Sequence, residues 1–141
     1  MLVMIKGAGD IASGIALRLW RAGVNVVMTD LPKPSSIRRS VCFSEAVYHG
    51  ETKVEEVCAR RAENAAEALR LLEENILPVI ADPKAESAKE LHPDVIVDAI
   101  LAKENLGTAI TDAPGVIGVG PGFPAGEDCH AVVETMRGHT L

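Results

Sequence analysis

Aromatic side chains are scarce in this chain: two Phe, one Tyr and one Trp among 141 residues. Flat surfaces on which nucleic-acid bases stack are correspondingly few. An excess of positive charge is missing as well. Fourteen Lys and Arg face 20 Asp and Glu, for a formal net charge of −6. No basic tract is long enough to reverse the repulsion of a phosphate backbone, so nucleic acid is not an expected partner. The cysteines, Cys42, Cys58 and Cys129, are three in number and lack C-x-x-C spacing. That pattern supports neither a disulfide framework nor a zinc knuckle. No apolar run approaches the roughly 20 residues needed to span a bilayer. The N-terminus reads as a strand rather than a signal peptide. The expectation is a reduced, cytoplasmic protein that does not partner with membranes.

Apolar residues, in contrast, make up 48% of the chain, enough for one domain over residues 1–141 with a real core. Leu2, Val3, Met4 and Ile5 form a continuous apolar run bounded by glycine, as in a parallel strand buried on both faces. Gly7-Ala8-Gly9 follows. Ile11, Ile15, Ala16 and Leu19 then recur at helical spacing, and Gly23 stands where a helix commonly ends. Val24 to Thr29 reads as a second strand, with Asp30 at its end.

A strand, a Gly-x-Gly turn and a helix N-terminus together make a cradle for a phosphate-bearing ligand. Unpaired amides and the helix dipole both favour an anion there. Gly7 suits the tight turn, Gly9 the close approach of backbone to ligand, and Ala12 takes the place of a third small residue for helix–strand packing. An acid about 20 residues past the glycines, here Asp30, is positioned to accept from a ribose hydroxyl. Lys6 ends the first strand where an apolar residue is usual, and its ammonium is within reach of a phosphate. Asp10 reads as the helix N-cap. Beside a pyrophosphate its carboxylate would be repulsive unless Lys6 or a cation offset it.

After Asp30, Pro32 and Pro34 impose a loop in which Lys33, Arg38 and Arg39 gather positive charge. They read either as an anion clamp or as a solvated loop. Phe43 to Tyr48 suggests a helical turn closed by Gly50. Lys53 to Arg61 fits a helix face or a strand pair. Helices are expected over Glu63–Asn75 and Glu86–Leu91, and strands over Leu77–Ala81 and Asp94–Ile100. Asp98 falls near the carboxyl end of the last of these, where open α/β sheets bind ligands. A Gly- and Pro-rich stretch from Ile110 to Gly126 surrounds a further short strand. Glu127 to Thr135 would place His130 and Glu134 on one strand face, as an acid/base pair, as part of a metal site, or with His130 as a structural histidine. The alternation predicts a Rossmann-like α/β fold, a doubly wound, mostly parallel sheet with helices on both faces.

Several separate segments resemble the YqeB family. They are Lys6 to Gly14, Thr29 to Pro34 with Ile37 to Arg39, Phe43 to Tyr48, Val97 to Lys103, Thr111 to Pro114, Gly120 to Phe123 and Val132 to His139. The resemblance implies an accessory protein that acts in maturation of selenium-dependent molybdenum hydroxylases. It implies such a hydroxylase as partner, and handling of molybdenum cofactor or insertion of sulfur or selenium as the task. Family members are generally longer, so a C-terminal part is expected to be absent here. They also often carry Glu where this chain has Asp30; either acid accepts from a ribose.

The candidate cofactor-binding residues are thus Lys6, Gly7, Ala8, Gly9, Asp10, Ile11, Asp30, Arg38, Arg39 and Asp98. Their expected ligand is a small-molecule nucleotide: NAD, another dinucleotide, or the pterin dinucleotide form of molybdenum cofactor. Two other functions fit the same chain. An NAD-dependent oxidoreductase would need His130 or Asp98 as proton donor, and a ligand-free module would use the fold only to dock a partner. No catalytic residue and no metal ligand is assigned, and a homo-oligomer is compatible with the sequence.

Overall fold

A computed structural model describes residues 1–7, 10–30, 50–82, 86–100, 112–119, 129 and 131–133. In chain order the elements are β1 (Leu2–Lys6), α1 (Asp10–Arg21), β2 (Asn25–Asp30), β3 (Glu51–Val54), β4 (Val57–Ala62), α2 (Ala65–Glu73), β5 (Leu77–Ala81), α3 (Ala88–Leu91), β6 (Val95–Asp98), β7 (Gly115–Val119) and β8 (Ala131–Val133). Among the described residues the strands form one eight-stranded sheet of order β3-β4-β5-β2-β1-β6-β7-β8. Every neighbouring pair is parallel except β3 with β4. The expected α/β class is what the chain adopts. The six strands from β5 to β8 follow the doubly wound order, which reverses direction between β1 and β6.

The two faces are covered by different connections. Ala12, Ala16 and Leu17 of α1 pack on Val3, Ile5, Val26, Met28, Val79 and Val97. Ala65, Ala68 and Leu71 of α2, with Leu91 of α3, pack on Met4, Val27, Ile80 and Ile96. This split follows from right-handed crossovers. The chain moves one way along the sheet from β1 to β2 and the other way from β4 through β5 to β6, so the intervening helices fall on opposite faces.

The buried stripe of α1 is rotated from the one its large side chains suggest. Ala12 and Ala16 are fully buried, whereas Ile15 and Leu19 are only partly covered and Ile11 is exposed. Alanine brings the helix axis close to the sheet, and the bulkier residues then flank the contact line. The helix ends at Gly23 (φ +86°), where Val24 N–H donates to the Leu19 carbonyl and Gly23 N–H to that of Trp20.

Lys53 to Arg61 resolves as the strand pair: β3 and β4 form a hairpin that pairs Val54 with Val57. Val54, Val57 and Ala59 are buried in the α1-side core, so a period of two governs the segment. The hairpin tip is fastened to α1. Arg21 donates from Nε to Glu56 at 2.6 Å and from Nη2 to Glu55 at 2.9 Å. The hydrogen bond from Arg21 holds the Glu56 carboxyl below its ordinary range. A carboxyl lowered in the folded state stabilises it above the unfolded value, about pH 4.3, and loses that contribution as pH falls through the folded value. Thermal melts at low salt should therefore show an acid-side loss of stability that Arg21→Met reduces. Because both partners are exposed the difference is small, and added salt should shrink it further.

Helix α2 begins at Asn64, whose Oδ1 accepts from the Glu67 N–H at 2.9 Å, while Glu67 Oε1 accepts from Glu63 N–H. It closes on Asn75 (φ +61°), with Ile76 N–H donating to the Leu71 carbonyl. Lys33, Arg38, Arg39, His130, Glu134 and the Phe43–Tyr48 turn lie outside the described residues.

Candidate functional site

Three strand ends meet at the reversal point. At position 7 the chain leaves β1 with φ +103°, and its N–H donates to the Thr29 carbonyl at 2.6 Å. A Cβ on that residue would stand 3.0 Å from the carbonyl oxygen of Ala99, just beyond β6. Both the dihedral and the close approach call for glycine. Ala99 N–H in turn donates to the Lys6 carbonyl, and Asp98 Oδ1 accepts from Ile100 N–H at 3.2 Å. The carboxyl edges of β1, β2 and β6 are thus stitched together by main chain, with α1 starting three residues past Gly7 at Asp10. Ala8 and Gly9 lie outside the described residues.

Successive residues of β1 face opposite sides of the sheet. Ile5 belongs to the α1 side, and Lys6 therefore to the side of Met4, α2 and α3. In register with Lys6 stand Thr29 on β2 and Asp98 on β6. This lateral row of polar residues is buried: relative exposure is 8% for Lys6 and 2% for each of the others. The Lys6 ammonium lies 3.9 Å from Oδ2 of Asp112, in the segment leading into β7. A desolvated ammonium is tolerable where carboxylates surround it. Gly118 aligns with Asp98 on the next strand and adds no side chain to the row.

Of the residues expected at the site, Lys6, Gly7 and Asp98 are brought together at the reversal point. Ile11 lies in the first turn of α1, exposed, and Ile100 presents a second exposed apolar side chain just past β6. Asp30 ends β2, the strand next to β1. Arg38 and Arg39 lie outside the described residues. Two members of the polar row were not singled out from the sequence for a role, Thr29 and Asp112. Asp112 had a usable signal, since a lysine ending an apolar strand requires acidic neighbours from elsewhere in the chain.

Among the described residues no cluster of His, Cys, Asp and Glu could hold a metal ion. None of the described helices is long and apolar enough to cross a membrane. No family model and no solved structure matches the chain. It is 56% identical over 140 residues to the uncharacterized protein YqeB of Escherichia coli (strain K12), a match covering 99% of this chain and 26% of that protein.

Proposed function

Since the chain belongs to the YqeB family, we propose that it acts as an accessory factor in maturation of a selenium-dependent molybdenum hydroxylase, binding a nucleotide or the pterin dinucleotide of molybdenum cofactor at the turn after β1. The observation that carries the binding half of this reading is the backbone at Gly7. It lies where, among the described strands, the order reverses between β1 and β6, and its positive φ suits the tight turn for which the first glycine of a dinucleotide motif serves. Ala12 fits the same pattern, because its small side chain is fully buried where α1 contacts the sheet. The maturation half rests on the family resemblance.

The residues present fit such a ligand. Main-chain amides at the start of α1 would hold the diphosphate, and Asp30 would accept from a ribose hydroxyl. Ile11 and Ile100 would cover the apolar faces of flat rings. When bound, the molybdenum cofactor would supply the metal and its sulfur ligands. The chain's part is to grip the dinucleotide and keep it from water.

Ligand-induced stabilisation tests this directly. NAD, ADP and a molybdopterin dinucleotide are each added to the 141-residue chain and the melting temperature is followed. A ligand at about 100 times its Kd should stabilise the fold by about 2.7 kcal/mol. Gly9→Val should abolish the shift and leave the unliganded melt unchanged in cooperativity. A shift that survives this substitution would remove the turn from the binding reading. Turnover of an alcohol or hydroxy acid with NAD would favour an oxidoreductase instead.

A further inference from the structure

The outer edge of β3 carries a self-complementary pattern. The Gly50 carbonyl accepts from Arg61 N–H at 2.7 Å, which fixes the side on which each residue of this strand directs its main chain. Because that direction alternates, Gly50, Thr52 and Val54 face β4, while Glu51 and Lys53 turn their N–H and C=O groups away from it. Among the described residues no strand lies beyond β3 in the sheet. The side chains of Glu51 and Lys53 share one face and are both exposed. The outward edge thus offers two amides and two carbonyls, flanked by Lys53 and by Glu51, whose carboxylate also lies 3.5 Å from Arg60 Nη2 of β4.

We infer that two copies of this chain pair through β3 about a two-fold axis at Thr52, joining their sheets edge to edge. Antiparallel pairing between outward-facing residues permits only registers in which odd-numbered positions oppose each other. Centred on residue 51, such a pairing sets Glu51 against its own copy. Centred on residue 53, it sets Lys53 against its own copy. Centred on Thr52, it sets Glu51 against Lys53 twice and brings the two Thr52 residues together at the close, non-hydrogen-bonded position. Among the registers centred within residues 51–53, charge therefore selects one. The interface is isologous, as a closed dimer requires. Charges at an edge commonly discourage pairing with arbitrary strands. Here the same charges favour a second copy in the alignment centred on Thr52 and oppose it in those centred on residues 51 and 53.

Sedimentation velocity of the 141-residue chain from about 5 to about 200 µM measures the association. A monomer–dimer equilibrium is expected. Lys53→Glu should weaken it about tenfold, since two attractive cross-strand pairs become repulsive, and adding Glu51→Lys to that variant should restore it. Lys53→Pro should abolish it. That change removes an outward N–H and leaves the β3–β4 ladder intact, so the melting temperature of the monomer should hold. A chain that remains monomeric throughout the range overturns the inference, as does a dimer indifferent to Lys53→Pro or one that the paired charge reversal fails to restore.

Discussion

Valine at position 7 should cost the fold about 3–5 kcal/mol, lowering the urea midpoint with little change in slope. Two penalties combine there. A β-branched residue at φ +103° is strained, and its Cβ would meet the Ala99 carbonyl oxygen at 3.0 Å, with the Ala99 carbonyl carbon and the Ile100 Cα close behind. Backbone atoms held in the sheet cannot move aside as a flexible side chain does. Gly14 provides the contrast. It is exposed in mid-helix, and a Cβ added there would meet nothing within 4 Å, so Gly14→Ala should stabilise the chain by about 0.5–1 kcal/mol. If both substitutions behaved alike, the close passage of β1 over the end of β6 would not be the constraint described.

The second large effect is expected at the buried polar row. Asp98→Ala removes a fully desolvated carboxylate beside Lys6 and the acceptor for Ile100 N–H. A loss of about 3 kcal/mol should follow, because a buried ammonium losing one of its two nearby carboxylates, with Asp112 left as the other, is left poorly compensated while Ile100 N–H loses its acceptor. Lys6→Met should be destabilising for the mirrored reason. The double variant Lys6→Met with Asp98→Leu should recover part of the loss, since apolar residues of similar size often replace neighbouring buried charges at little cost and the carboxylate left behind, Asp112, is a third exposed. Urea unfolding of the four proteins closes the double-mutant cycle. Strictly additive losses would mean that Lys6 and Asp98 do not sense each other, and the row would cease to be a unit.

The sequence was most legible where one local signal sufficed. Continuous apolar runs marked β1, β5 and β6, and glycine at position 23 marked the end of α1. Gly7 and Asp98 could be placed at the ends of β1 and β6 from the sequence because the turn and the strand end each have a fixed place in a doubly wound sheet. Legibility failed where packing decided. Ile11 looked like core by period, yet the exposed position at the start of α1 followed from Ala12 and Ala16 seating the helix. The β3–β4 hairpin was ambiguous because its alternation is short and its turn is Glu55-Glu56 rather than a glycine pair. The lysine ending β1 called for an acid, but nothing local picked out Asp112, more than a hundred residues away in the chain, as its partner.

The alternation along β1 has one more result, for fidelity of assembly. Ile5 and Lys6 are adjacent in sequence but immersed in different halves of the interior. A slip of β1 by one position against its neighbours would turn every side chain over and drive the ammonium in among the apolar Ala12, Ala16, Val26 and Met28. An all-apolar strand could tolerate that error, having something greasy to offer on either side. A single cation near its end makes the wrong alignment prohibitive.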